Sequence, residues 1–168
     1  MGYLNHLSRF RLLPGAAAAI RRLNEASLPV IVVTNQSGVG RGYFPEQLVR
    51  DVHDRMNAEL RNAGARLDAV YYCPHVSLDR CECRKPKTGM LDQAARELGL
   101  DLKKSFVAGD RHSDIQVAQC AGARSILVRT GFGEGELAWH AKNWACRPEF
   151  VAADLPEAVE WILQEVRR

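Results

Sequence analysis

Four soft metal ligands lie close together in the middle of the sequence. Cys73 and His75 form one tight pair and Cys81 and Cys83 form another, with a short polar loop between them. This spacing lets four donors surround one Zn²⁺ tetrahedrally. Because four protein ligands leave no open position, we predict a structural zinc site rather than a catalytic one. Metal binding is expected to stabilise a loop that has little apolar content.

A disulfide with one thiol left over is the competing interpretation of the three clustered cysteines. Nothing at the N-terminus resembles a secretory signal, so we expect a compartment in which thiols stay reduced. Cys120 and Cys146 show no ligand spacing, and we interpret them as small buried apolar residues.

Two cations directly follow the last thiol of this cluster. Arg84 and Lys85 come immediately after Cys83, so a metal that holds the thiolate also positions both charges. Such a pair can neutralise the charge that spreads over a phosphoryl group during its transfer. We therefore predict an anion-binding site beside the zinc loop.

Polar side chains also follow two predicted buried strands. Thr34–Gly42 comes after a β-branched run, and Asp110 comes after Gly109 at the end of another strand. Open parallel sheets bind ligands at these strand ends. Thr34 can donate to a phosphoryl oxygen, and Asp110 is a suitable ligand for Mg²⁺. The alternatives are a plain surface turn for Thr34–Gly42 and helix N-capping for Asp110 and Asp114, with capping at least as well supported for Asp114.

The elements that position these residues alternate between strands and helices, which predicts a single α/β domain with a doubly wound, Rossmann-like, three-layer parallel sheet. Met1–Leu13 is expected to be a loop, and Gly131–Gly135 a glycine-rich loop. The predicted strands are Val30–Val33, Leu67–Tyr72, Ser105–Ala108, Arg124–Val128 and Phe150–Ala152, and the predicted helices are Ala16–Asn24, Pro45–Ala63, Leu91–Leu98, Ile115–Ala121 and Pro156–Arg167. The run at Val30–Val33 is typical of a strand buried on both faces.

Composition narrows the class of protein. The 168 residues are 46% hydrophobic and 26% charged, with a net charge of +3. These values are ordinary for a cytoplasmic globular protein, and the apolar runs are too short for a membrane span. The basic residues are dispersed, so we expect neither a nucleic-acid nor a membrane partner.

Four segments resemble the haloacid dehalogenase (HAD) superfamily: Val-Val-Thr-Asn-Gln-Ser-Gly, Tyr-Tyr-Cys-Pro-His, Cys-Glu-Cys-Arg-Lys-Pro-Lys-Thr-Gly-Met and Val-Ala-Gly-Asp-Arg-His-Ser-Asp. Within it they are similar to phosphatases of D-glycero-D-manno-heptose 1,7-bisphosphate and to the related histidinol-phosphatases. The resemblance implies a HAD-like fold without a large cap domain. It also implies Mg²⁺-dependent removal of the 7-phosphate through an aspartyl-phosphate, by a monomer acting on a small sugar phosphate.

The resemblance also implies roles for individual residues. Lys85 and Thr34 correspond to groups that stabilise the phosphoryl group, and Arg84 to a group that recognises substrate. Asp110 corresponds to the magnesium ligand, with Arg111 assisting it. The residues implied to contact substrate are Gly2, Tyr3, Thr34, Asn35, Gln36, Ser37, Arg84 and Lys85.

One family feature is missing from the sequence. Family members begin with a strand that ends in Asp-x-Asp, which supplies the nucleophile and the acid, and no such motif occurs here. Without that nucleophile we expect negligible phosphatase activity. The missing strand is expected between Val30–Val33 and Ser105–Ala108, so we expect the true start about 15–20 residues upstream. The alternative is a catalytically inactive phosphosugar-binding protein.

Overall fold

The computed structural model describes residues 2–168 and shows parallel strands alternating with helices. Packing divides these residues into two compact units, the first ending at Arg84 and the second running from Lys85 to Arg168. The α/β class and the parallel pairing of the strands are confirmed. The strands form two sheets, one in each unit, and the grouping of both units into a single domain stays a prediction.

The first unit is built around two parallel strands. Strand β1 (Ile31–Asn35) pairs with β2 (Ala69–Cys73), with Ile31 opposite Ala69 and Asn35 opposite Cys73. Both strands therefore end level with each other, and each carries candidate site residues at its carboxyl end. The helices of this unit are α1 (Ala16–Glu25), α2 (Ser37–Gly40) and α3 (Glu46–Asn62), with 3-10 turns at Leu7–Arg9 and Ser77–Asp79.

The second unit contains a three-stranded parallel sheet. Its order is β3 (Phe106–Gly109), β4 (Arg124–Val128) and β5 (Phe150–Ala152). Its helices are α4 (Gly89–Leu98), α5 (His112–Ala121), the short α6 (Gly133–Gly135) and α7 (Leu155–Val166), with a π-helical turn at Glu136–His140 and 3-10 turns at Leu102–Lys104 and Ala141–Asn143.

The core of the second unit lies around the central strand. Ile126 and Leu127 of β4 are fully buried, together with Ile115 of α5 and Val159 of α7. Helix α7 starts where the sequence favours it, because the Asp154 side chain accepts a hydrogen bond from the N–H of Glu157. Apolar packing on a central strand thus makes a rigid support for the loops at the strand ends.

All ten predicted strands and helices are present, two of the strands with the predicted bounds and the other elements with shifts of up to three residues at their ends. Strand β1 continues through Thr34 and Asn35, beyond its predicted end at Val33. Its residues are half-buried throughout, so the prediction of burial on both faces is wrong. Among the described residues, β1 pairs with a strand on one edge only, and the same holds for β3.

Both of the predicted loops contain a short helical segment. The loop predicted for residues 1–13 includes the 3-10 turn at Leu7–Arg9, and Met1 lies outside the described residues. The glycine-rich loop at Gly131–Gly135 contains the short helix α6. No helix between residues 2 and 168 is long and apolar enough to cross a membrane.

Candidate functional site

The first part of the site is the cluster of soft ligands at the end of β2. Cys73 Sγ lies 3.6 Å from Cys81 Sγ and 3.6 Å from His75 Nδ1, and His75 Nδ1 lies 3.3 Å from Cys83 Sγ. A zinc tetrahedron with Zn–S of about 2.3 Å and Zn–N of about 2.0 Å has edges of roughly 3.5–3.8 Å. The four ligand atoms all lie within 4.8 Å of one another, so the donor set fits one zinc ion.

The thiols of Cys73 and Cys81 have their pKa values shifted in opposite directions. Burial raises the pKa of Cys73 to about 12. For Cys81, burial also acts to raise the pKa, but hydrogen bonds from Cys83, from the backbone of Arg84 and from Cys73 outweigh it and lower the pKa to about 7. All cysteines in the described part of the chain are free, so the geometry gives no support to a disulfide in this loop.

The remaining two cysteines were expected to be buried. Cys120 is exposed and Cys146 is half-buried, so that expectation is wrong for Cys120. Cys120 lies in the last turn of α5 and is not among the buried residues of that helix, which are Asp114, Ile115, Val117 and Ala118. Cys146 contacts His112, with 3.5 Å between Sγ and Nε2.

The loop that carries Cys73, His75, Cys81 and Cys83 is connected to Arg84 by a direct hydrogen bond. Arg84 Nη1 donates to the backbone carbonyl of His75 at 3.2 Å. A residue of the metal cluster thereby orients the guanidinium group, in addition to the covalent link through Cys83. This hydrogen bond supports the prediction that the loop positions Arg84.

The end of β1 brings several predicted substrate-contacting residues together. Gln36 Nε2 donates to Thr34 Oγ1 at 3.2 Å, which leaves the Thr34 hydroxyl proton available to an acceptor. Ser37 is buried, and its Oγ lies 3.4 Å from the hydroxyl of Tyr3. Asn35 is half-buried at the last position of β1. Gly2, by contrast, is exposed, and a Cβ there would meet no atom within 4 Å.

Tyr3 lies in positively charged surroundings. The hydrogen bond with Ser37 lowers the pKa of Tyr3 against the opposing effect of burial, and the charges of Arg41 and Arg84 lower it further. The Tyr3 ring packs edge-on against Tyr43, with 5.2 Å between ring centroids. Sequence reasoning missed Arg41, although its position four residues after Ser37 was a usable signal.

In the second unit, Lys85 forms an ion pair with a residue of α5. Lys85 Nζ lies 2.7 Å from Asp114 Oδ1, and their side chains are only 13% and 6% exposed. The backbone N–H of Arg111 donates to Asp114 Oδ2 at 3.0 Å. The capping interpretation of Asp114 is therefore confirmed, and both of its carboxylate oxygens already have partners.

Gly109 allows the Asp114 carboxylate to come this close. A Cβ at Gly109 would lie 2.3 Å from Asp114 Cγ and Oδ2, closer than real atoms approach. The glycine before Asp110 thus has a steric role that the sequence alone did not reveal.

The glycine-rich turn that contains Phe132 holds the side chain of Asp110. The N–H of Phe132 donates to Asp110 Oδ2 at 2.9 Å. Asp110 is not the N-cap of α5, because Arg111 occupies that position. One carboxylate oxygen, Oδ1, has no hydrogen-bond donor among the described residues. A single oxygen presented in this way fits Mg²⁺, which takes few carboxylates and keeps several waters.

Arg111 makes side-chain contacts that differ from those of a metal ligand. Its guanidinium carbon lies 3.5 Å above the Phe132 ring, and Nη1 lies 3.7 Å from Glu136 Oε1. A guanidinium has donors only, so it cannot coordinate a cation. The help that Arg111 was predicted to give Asp110 is therefore limited to holding the neighbouring turn.

Each unit thus groups its own part of the predicted set. The first unit brings together Tyr3, the β1 end with Thr34, Ser37 and Arg84, and the metal cluster lies at the end of β2. The second unit brings together Lys85, Asp110 and Arg111 around Asp114.

Two protein-family models match the sequence. The haloacid dehalogenase-like hydrolase model matches residues 3–119, and a HAD-hydrolase-like model matches residues 82–158. The first match alone covers more than half of the chain.

Named proteins show the same similarity. D-glycero-D-manno-heptose-1,7-bisphosphate 7-phosphatase of Thermosynechococcus vestitus is 42% identical over 96% of this chain and 88% of its own length. The D-glycero-beta-D-manno-heptose-1,7-bisphosphate 7-phosphatase of Yersinia pestis is 37% identical over 95% and 87%. A crystal structure of D,D-heptose 1,7-bisphosphate phosphatase from B. bronchiseptica, complexed with magnesium and phosphate, has a TM-score of 0.89 at 37% identity and covers 97% of this chain and 89% of that one.

Proposed function

Because the chain belongs to the haloacid dehalogenase-like hydrolases, we propose that it acts as a phosphatase that removes the 7-phosphate from D-glycero-D-manno-heptose 1,7-bisphosphate. The observation that carries this proposal is the buried ion pair between Lys85 and Asp114, whose carboxylate also holds the backbone N–H of Arg111, the residue that follows Asp110. A fixed cation and a cation-binding carboxylate are two of the groups that phosphoryl transfer uses, in addition to the nucleophile.

The residues of the first unit support binding of the phosphoryl group. The Thr34 hydroxyl accepts from Gln36 and is left to donate to a phosphoryl oxygen. Donors that are already oriented cost no reorganisation when charge develops. Thr34 is therefore assigned to phosphoryl binding, with Asn35, Gln36 and Ser37 beside it.

The second unit supplies the charges. Lys85 is assigned to neutralising the phosphoryl oxygens, and Asp114 keeps its ammonium group in place. Asp110 is assigned to holding Mg²⁺ through its open oxygen. When bound, Mg²⁺ polarises the phosphoryl group and stabilises negative charge on its oxygens.

Zinc is assigned a structural role in this enzyme. The four ligands at Cys73, His75, Cys81 and Cys83 leave no open position for substrate or water. Bound zinc would hold the loop whose His75 carbonyl orients Arg84.

The charge around Tyr3 supports the bisphosphate over histidinol phosphate, the enzyme alternative. Arg41 and Arg84 both act on the Tyr3 hydroxyl and create positive potential there. A second phosphate is attracted by two guanidinium groups, whereas the ammonium group of histidinol phosphate is repelled. The substrate class proposed is therefore a small sugar bisphosphate. We further propose that the protein is a monomer that acts in the cytoplasm.

A phosphate-release assay tests this proposal. Inorganic phosphate is measured with heptose 1,7-bisphosphate and with histidinol phosphate, each with Mg²⁺ and with a chelator. The 168-residue chain is compared with a fusion that carries the Asp-x-Asp strand of a relative at its N-terminus, since that motif is absent from the sequence. We expect Mg²⁺-dependent release from the bisphosphate by the fusion. A preference for histidinol phosphate would overturn the substrate, and no release by either chain would favour an inactive phosphosugar-binding protein.

A further inference from the structure

We propose that the turn from Gly131 to Glu136 positions the Asp110 carboxylate, holding one oxygen and presenting the other to a small divalent cation. This inference rests on the magnesium-dependent function proposed above. It extends that function to a turn outside the predicted site residues.

The backbone of the turn holds Asp110 directly. The N–H of Phe132 donates to Asp110 Oδ2 at 2.9 Å. Gly131 just before it has φ of +65°, and a Cβ at this position would lie 2.2 Å from the same oxygen. Only glycine therefore allows the backbone to approach the carboxylate at this distance.

The turn is itself held against the end of β4. The N–H of Gly133 donates to the carbonyl of Thr130 at 3.1 Å, and that of Glu134 to the carbonyl of Arg129 at 3.0 Å. A Cβ at Gly133 would lie 1.8 Å from the carbonyl oxygen of Val128. The donor that reaches Asp110 is thus part of a tightly packed turn and not of a loosely attached loop.

A side-chain contact ties the neighbour of Asp110 to the same turn. The Arg111 guanidinium lies 3.5 Å above the Phe132 ring, in the geometry of a cation–π contact. Its Nη1 lies 3.7 Å from Glu136 Oε1 at the other end of the turn. Backbone and side chain therefore fix Asp110 and Arg111 together.

The consequence is selectivity among cations. The positive end of the Phe132 N–H dipole lies against Oδ2 and disfavours a cation at that oxygen. Asp110 is left to bind through Oδ1 alone. Mg²⁺ is commonly bound by single carboxylate oxygens and waters, whereas Ca²⁺ often takes both oxygens of a carboxylate. The turn therefore favours Mg²⁺ over Ca²⁺.

Three glycine variants test the positioning role in the full chain. Gly131→Ala places a methyl group against Asp110. Gly99→Ala introduces the same backbone strain, since φ is +67°, but meets no atom within 4 Å. Gly135→Ala lies in the turn and also meets nothing. Binding of Mn²⁺ is followed by electron paramagnetic resonance, and Mg²⁺ and Ca²⁺ are measured by competition, with circular dichroism and melting temperature as folding checks.

We expect Gly131→Ala to weaken Mn²⁺ and Mg²⁺ binding by about 10–100-fold, the usual cost of losing a group that orients a metal ligand. The preference for Mg²⁺ over Ca²⁺ should narrow at the same time. Gly99→Ala and Gly135→Ala should bind cations as the wild type does. Equal affinity in Gly131→Ala and wild type, or no cation binding by the wild type, would overturn the inference.

A milder variant covers the case in which Gly131→Ala fails to fold. Phe132→Leu keeps the N–H but removes the ring beneath Arg111, so we expect a loss of about two- to fivefold in Mg²⁺ affinity. An unchanged affinity counts against the side-chain contact. If the three glycine variants bind cations as expected but no phosphate is released, only the phosphatase proposal is contradicted. Phosphate release that Gly131→Ala leaves unaltered would contradict only the positioning role.

Discussion

Lys85 Nζ lies 2.7 Å from Asp114 Oδ1, and this contact joins a residue that follows the zinc loop to the first turn of α5. Because both side chains are largely buried, each charge depends on the other for its stability. Asp114 also accepts the N–H of Arg111, so the same carboxylate fixes the backbone next to Asp110. The lysine and the proposed magnesium ligand are therefore positioned by one residue.

Replacing Asp114 tests this relationship. Asp114→Asn keeps the shape but removes the charge, and we expect the free energy of unfolding to fall by about 3 kcal/mol because Lys85 loses its carboxylate in a buried setting. Urea denaturation measures the change. The control is Glu134→Gln, which breaks an exposed pair with Arg129 and should cost under about 1 kcal/mol. Equal costs for the two variants would show that burial does not strengthen the Lys85 contact.

A second prediction concerns Gly109, which has no functional group of its own. In Gly109→Ala the new methyl group overlaps the Asp114 carboxylate, so we expect a loss of stability of about 1–3 kcal/mol and loss of phosphate release. Thermal and urea unfolding measure the change in stability, and the phosphate assay on the fusion that carries the Asp-x-Asp strand measures the loss of phosphate release. Gly135→Ala is the control because its Cβ meets no neighbour. A fully active Gly109→Ala enzyme would argue against the need for a fixed Asp114.

Metal removal gives a third prediction. Cys81→Ser should abolish zinc binding, loosen the loop and weaken substrate use, because the His75 carbonyl no longer orients Arg84. Elemental analysis measures zinc, and steady-state kinetics on the fusion that carries the Asp-x-Asp strand measures substrate use. Cys120→Ser changes an exposed thiol outside the cluster and should retain zinc. Unaltered kinetics in zinc-free protein would disprove the coupling between the loop and Arg84.

A fourth prediction addresses recognition of the second phosphate. Arg84→Gln removes one of two positive charges near Tyr3, and we expect KM for the bisphosphate to rise about tenfold, since hydrogen bonds to charged groups contribute about 1.5–3 kcal/mol. Initial-rate kinetics over a range of substrate concentrations, on the fusion that carries the Asp-x-Asp strand, provide the measurement. Arg61→Gln, on exposed α3 surface, is the matched control. The same KM in both variants would rule out Arg84 as a recognition residue.

Short-range sequence patterns were sufficient to predict many of the strands and helices. The β-branched run before Thr34 and the apolar stripes of α3 and α7 are local signals, and all three elements are present. The clustering of Cys73, His75, Cys81 and Cys83 was also predictable, because a set of possible metal ligands is defined by residue type and spacing. The burial of β1 was not predictable, because burial depends on which segments pack on the two faces of a strand.

The roles of Asp114, Gly109 and the Gly131–Glu136 turn could not be derived from local patterns. Each depends on residues that are distant in the sequence: Lys85 reaches Asp114 across 29 positions, and Phe132 reaches Asp110 across 22. A turn can require glycine for several reasons, and only the position of the Asp110 carboxylate shows why glycine is required at Gly131.

The sequence by itself determined the alternation of strands and helices and the clustering of Cys73, His75, Cys81 and Cys83, because these follow from residue types and their spacing along the chain. Only the tertiary structure decided which carboxylate oxygen is held and which is open, and which residue pairs with Lys85. Those choices depend on distances of a few ångströms between segments, which are set by packing and not by sequence order.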